Sequence, residues 1–261
     1  MNWKRWRGIF ACALCMLAGC GTASDKALDD VLSALDAGNY AEAVTLASAA
    51  LADDATNFQL MMALSSAYSG RAGVELLDLA ETLSDTDNES EAFKQIHSAL
   101  VATISATGLP DLRLAITTLT DFTGTVADAT NYRFQLGMLQ AIEAFALPTM
   151  TAKPISTSTV TATDITATHR ADVQSDFLDA DNNLILGNLG TDNQLVEVVR
   201  KNYCVLKDRS TDTGFSLAEL QDITTCQLSD SPSSVSTFQS ASVTSCADFN
   251  FDNCTAVDTT L

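Results

Sequence analysis

Between Asp208 and Glu219, oxygen-bearing side chains recur at a spacing that could hold a cation. Asp208, Ser210, Asp212, Ser216 and Glu219 fall at places 1, 3, 5, 9 and 12 of a twelve-residue loop, with Phe215 at the apolar eighth place. Calcium, which takes six or more oxygens, is served by that spacing. Two features oppose it. The sixth place, where a glycine makes the sharp turn, is Thr213 with Gly214 one residue late, and Ser210 brings only a neutral oxygen. Ser216 and Glu219 also form a capping box opening a helix that carries Leu217 and Leu220, and this is the preferred reading. Calcium stays the alternative. Asp179, Asp181 and Asn183 open a similar run, with Leu184 and Gly190 where glycine and glutamate belong. No metal or cofactor is expected.

Nor does the chain display a nucleophile. It has 2 histidines, no GxSxG elbow and no glycine-rich phosphate loop. His97 sits between Ile96 and Leu100 on a helical stripe and reads as a packed histidine; His169 lies beside Arg170 in a polar stretch. Adjacent carboxylates such as Asp29 with Asp30 and Asp53 with Asp54 point different ways on a helix, so they read as solvated faces and caps. The protein is not expected to be an enzyme.

The most specific chemistry lies at the N-terminus. Lys4, Arg5 and Arg7 precede an apolar run from Gly8 to Ala18, too short to cross a bilayer but the right length for a secretory signal. It ends in Leu17, Ala18, Gly19 and Cys20, which resembles the bacterial lipobox. That resemblance implies a signal peptide over 1–19, lipidation of Cys20, a tether over 20–26 and a membrane-held protein in the periplasm. Gly21 follows Cys20 where an Asp would resemble the inner-membrane retention signal, so the outer membrane is expected.

Removing the signal sharpens two numbers. The 33 acidic residues then face eleven basic ones, moving the net charge from −19 to −22. Clustered cations are what phosphate backbones require, so no nucleic-acid partner is expected, and a protein partner should be basic. With Cys12 and Cys15 gone and Cys20 acylated, Cys204, Cys226, Cys246 and Cys254 remain. In an oxidising compartment these suggest two disulfides in a region with a thin apolar core. Three pairings are open. Nearness in sequence favours Cys204 with Cys226 and Cys246 with Cys254, and the absence of CxxC pairs argues against zinc.

Holding these groups requires helices. Leu28, Val31, Leu32 and Leu35 form one stripe, and Gly38 and Asn39 interrupt it. Tyr40, Ala43, Val44, Ala47 and Leu51 form the next, ended by Asp53, Asp54 and Asn57. A third helix carries Phe58, Met61, Leu64 and Tyr68 to Gly70 and Gly73, and a fourth runs through Val74, Leu77 and Ala80. Further helices are expected over about 89–106, 111–123 and 129–147, with Pro110 and Pro148 at their boundaries. Short connections make neighbours antiparallel. The fold class is all-α.

Gly38, Asn39, Tyr40, Glu42, Ala43, Val44, Ala50, Leu51, Asp54 and Asn57 resemble the turn and second helix of a tetratricopeptide repeat, a unit of ~34 residues. Leu64, Ser65 and Tyr68 resemble the first helix of a following repeat. Ala55 stands where a proline is usual, and the next unit's second helix keeps no small-residue pattern at Leu77 and Ser84. The resemblance covers roughly 24–83. It implies stacked antiparallel hairpins over 27–147, in which Tyr40 packs back on the first helix, and a concave face that binds a peptide or helix of an envelope protein. Tyr68 and Arg71 are the candidate contacts. An adaptor or scaffold lipoprotein is the expected function. The alternative is a lipoprotein accessory of a periplasmic solute transporter that binds a small ligand, since those of tripartite ATP-independent transporters are similar in layout.

Past Pro148 the composition changes. Residues 148–171 are rich in Thr and Ser and read as a linker or loop. Helical pattern returns near Asp172 to Leu178, around Leu195, Val198, Val199 and Tyr203, and at Leu217, Leu220 and Ile223. The region 172–261 therefore reads as a helical, Ser-rich extension closed by its four cysteines.

Overall fold

A computed structural model describes residues 23–74, 89–103, 108–152, 167–209, 217–229 and, between 233 and 251, all but 234, 237 and 250; some stretches expected from sequence lie outside these. They include the signal and Cys20, the fourth helix beyond Val74, the middle of the Thr/Ser stretch and the loop 210–216.

Among the described residues there are nine α-helices and no strand: α1 Ala23–Asp36, α2 Tyr40–Asp53, α3 Phe58–Arg71, α4 Glu89–Thr103, α5 Gly108–Thr120, α6 Ala129–Ala152, α7 Ala167–Leu186, α8 Gln194–Arg209 and α9 Leu217–Leu228. A short 3-10 turn, Cys246–Asp248, follows. The chain is all-α.

Local chemistry sets the helix ends. After α1, Gly38 takes φ +70° while Asn39 N–H returns to Ala34 O and Gly38 N–H to Leu35 O. This is a Schellman closure, which needs a left-handed residue and so favours glycine. Gly73 closes α3 the same way, burying Val74 beyond it. Asn57 caps α3, its side chain accepting from Leu60 N–H at 3.0 Å, and Asp128 caps α6 through Asn131 N–H at 3.1 Å.

Two cores result. The first three helices pack on one another around Val31, Ala43, Ala47, Leu60, Ala63 and Ala67, and small side chains here let the backbones approach. Gly70 extends that logic: a Cβ there would overlap the ring of Tyr40, so the ring lies on α3. Tyr40 was expected to pack back on the first helix. It fills the space left by a glycine on the third.

The larger core has another topology. α4, α6, α7 and α8 form a ring, each packed on the next and α8 back on α4, while α9 lies across α6 and α4. At its centre Phe145 makes edge contacts with Phe177 at 4.8 Å and Phe93 at 5.7 Å, tying α6 to α7 and α4. A repeat stack touches only sequence neighbours. Here α4 touches α8 and α9, so the described helices beyond residue 89 close into a bundle. α5 joins the two parts, packing on α3 and on α6.

Three boundaries differ from the sequence reading. α6 continues through Pro148 to Ala152, and the proline costs it one backbone bond without ending it. α7 begins at Ala167 and runs to Leu186, well beyond the stripe expected over 172–178. One apolar cluster includes residues on both sides of 148–171, so that stretch does not separate two cores.

The disulfide pairing is also corrected. Cys226 bonds Cys246, with Cα atoms 5.5 Å apart, so neither favoured pair forms. Cys204 is disulfide-bonded as well. Nearness in sequence failed because residues 238–249 fold back along α9. The buried carboxylate of Asp222 accepts from Gln239 N–H at 2.7 Å and Ser240 N–H at 2.8 Å, while Glu219 accepts from Ser242 Oγ at 3.2 Å. Those contacts bring residue 246 to residue 226, and Val243, Cys246 and Phe249 join the larger core.

Candidate functional site

Where the chain enters the fold, Ala23 opens α1 and Ser24 is already fastened. Asn57 Nδ2 donates to Ser24 Oγ at 2.8 Å and to Asp54 Oδ2 at 3.3 Å, while its own oxygen caps α3. The start of α1, the α2–α3 turn and the start of α3 therefore form one end of the molecule. The segment after α5 joins them: Phe122 packs near Phe58 with ring centroids 6.1 Å apart, and Gly124 lies so close to Thr56 O that a Cβ would stand 2.8 Å from it. Cys20 itself lies outside the described residues.

The two candidate contact residues meet each other. Arg71 sits over the Tyr68 ring, 5.1 Å from its centroid, and its fork grips Asp111 through Nε at 2.8 Å and Nη2 at 2.6 Å. The hydrogen bond to Asp111 holds the guanidinium more firmly protonated than usual. Tyr68 is half-buried against both cores. The pair thus fastens α3 to α5, and Ser65 adds to the joint by donating to Ala115 O at 3.0 Å from a buried position. Nearby, Gln135 of α6 donates to Met62 O and Ser66 Oγ, so the chain's own helix covers that part of α3.

The calcium reading separates into its parts. Asp208 is exposed near the end of α8 and Glu219 is engaged by Ser242; Ser210, Asp212 and Ser216 lie outside the described residues. The second run is overturned. Asp179, Asp181 and Asn183 all lie within α7, where alternate residues point apart, and Asp181 is fully buried against Arg200 of α8 at 3.0 Å. Asn183 donates to Gln140 Oε1 at 2.7 Å and accepts from Arg133 Nη1 at 2.7 Å. In the sequence these residues resemble only the opening of a cation loop, already opposed by Leu184 and Gly190. Their partners, Arg133, Gln140 and Arg200, carry no local motif. Burial raises the Asp181 carboxyl above its ordinary value, and the hydrogen bond from Arg200 opposes that shift. Among the described residues no three His, Cys, Asp or Glu side chains gather as a metal site.

His97 is packed beside Phe93, with ring centroids 6.4 Å apart, and its buried Nε2 finds no hydrogen-bond partner among the described residues. Desolvation lowers its pKa from the ordinary 6.5, favouring the neutral ring. The side chain of His169 lies outside the described residues. Across α5 and α6, Arg113 pairs with the nearly buried Glu143. These polar groups hold helices together.

Among the described residues no helix is long and apolar enough to cross a membrane. Comparison with protein-family models, with curated proteins and with solved structures finds no match.

Proposed function

We propose that this protein is a lipid-anchored envelope lipoprotein, held at the outer membrane facing the periplasm, whose helical body serves as an adaptor or scaffold for a protein partner. The observation that carries the reading is the run Leu17, Ala18, Gly19 and Cys20 behind a basic start and a short apolar segment. It would place a diacylglyceryl thioether at Cys20. The body supports a binding role through its degenerate helical-hairpin start and strongly acidic surface, which suits a basic segment of a partner.

Fractionation of cells making wild type or Cys20→Ser tests the anchor. The wild type should sediment with membranes and the variant should be soluble in the periplasm; equal sedimentation overturns the anchor. Chemical cross-linking in native membranes tests the partner. A discrete adduct that weakens as salt rises is expected, because exposed charge pairs are screened over about 8 Å at physiological ionic strength. An absence of adducts in intact envelopes overturns the adaptor.

A further inference from the structure

We infer that the end of the bundle formed by Ser24, the α2–α3 turn over 53–57 and the segment 121–128 is the face turned toward the lipid surface, held against it as if on a stub. The inference rests on lipidation at Cys20 and adds an orientation to it. Only three peptide steps separate Cys20 from Ala23, where α1 is already helical. At a little under 4 Å per step, the chain between them spans at most about 11 Å.

Several contacts keep that distance short. Asn57 ties Ser24 to the cap of α3, so the first turn of α1 is fastened to the body. Thr56 against Gly124 and Phe58 near Phe122 fasten the next segment to the same end. The whole end, not a loose helix, must follow the lipid.

This end is acidic. Asp25, Asp53, Asp54, Asp121 and Asp128 lie on it or border it, and Lys26 is engaged by Asp30 at 2.6 Å. Carboxylates facing anionic headgroups are repelled at short range. The short tether holds the end close in spite of that repulsion, and since Asp29, Asp30 and Asp36 along α1 are exposed and would be repelled if the helix lay flat, α1 points away from the membrane. The turn at Ala37 and Gly38 then projects outward by the length of α1, 14 residues or about 20 Å. A partner in the periplasm would meet that end first.

The test uses the mature, acylated, full-length protein in vesicles of phosphatidylethanolamine and phosphatidylglycerol carrying an acceptor dye on the lipid. A donor amino acid is placed by suppression at Ala55 or at Ala37, both exposed. Energy transfer should be clearly higher from Ala55 than from Ala37. Inserting twenty Gly/Ser residues after Gly21 should abolish the difference. Acylated protein with equal transfer from both sites, or higher transfer from Ala37, overturns the orientation while leaving the anchor intact. A mature mass without acyl chains overturns both.

Discussion

Gly187 lies so close to the backbone of Phe134 that a Cβ at 187 would stand 2.6 Å from Phe134 N. Gly137 makes the reciprocal approach, its missing Cβ lying 2.8 Å from Leu184 N. The two glycines bring α6 and α7 into backbone contact on either side of one crossing. The left-handed cap that ends α7 falls on Asn188 at φ +70°, with Leu189 N–H returning to Leu184 O, at the same place past the helix end that Gly38 takes after α1.

Two substitutions separate those roles. Gly187→Ala should cost about 1–3 kcal/mol by forcing the helices apart. Asn188→Gly, which relieves a left-handed side chain, should leave stability unchanged or raise it by a few tenths of a kcal/mol. Thermal melts of both variants check this, and an indifferent Gly187→Ala would contradict the close approach.

The Asp181–Arg200 pair should behave as a buried ion pair. Arg200→Met leaves a carboxylate stranded inside and should cost about 3–5 kcal/mol, while Asp181→Asn combined with Arg200→Met should recover a large part of that. Urea unfolding of the two single variants and the double gives the coupling. Additive losses would mean that the groups do not depend on each other.

His97 makes stability depend on pH in a stated direction. Its native pKa is depressed, so the unfolded chain takes the proton first as pH falls below about 6.5. Its contribution is complete above that value and drains away as pH falls toward the depressed native pKa. Comparing urea midpoints of wild type and His97→Leu between pH 7.5 and 5 should show a shallower acid loss in the variant. Parallel curves would remove His97 from the account.

Peptide mapping without reduction should recover Cys226 joined to Cys246; a Cys204–Cys226 peptide would overturn the pairing. Replacing both Cys226 and Cys246 with Ala should cost about 3 kcal/mol, since the bridge spans 20 positions. Asp222→Ala should cost a further 1–3 kcal/mol or so by leaving two backbone donors on the returning segment without their acceptor. Calorimetry of the oxidised variants measures both.

Helical class and most helix starts were legible in sequence because stripes, caps and glycines act locally: Gly38, Asn57 and Gly73 work where spacing placed them. What was not legible depends on distant partners. Asp181 looks like a surface acid until Arg200 comes alongside, and nothing local marks Gly187 as the point where the backbone of Phe134 comes close. Pro148 looks like a stop, though a helix can lose one bond and continue. The cysteine pairing was hidden because Asp222 reels in residues 239–240 from outside its own helix. Their place near the end of the third helix marks Tyr68 and Arg71 as candidate partner contacts; that they meet each other, and that Asp111 answers the charge, is visible only in the fold.

The small N-terminal core has a mechanical corollary. Five of its nine buried residues are alanines, each offering one methyl group where a leucine would offer a whole isobutyl chain. Cohesion there is borrowed across the α3–α5 joint at Ser65 and Arg71. The larger core, by contrast, carries the Cys226–Cys246 bridge and the contacts among Phe93, Phe145 and Phe177. Cohesion therefore differs between the two cores: hydrogen exchange should run fastest in α1 and α2 and slowest around Phe145, and strain arriving through the N-terminus would be absorbed in the small core before it reached the ring of helices.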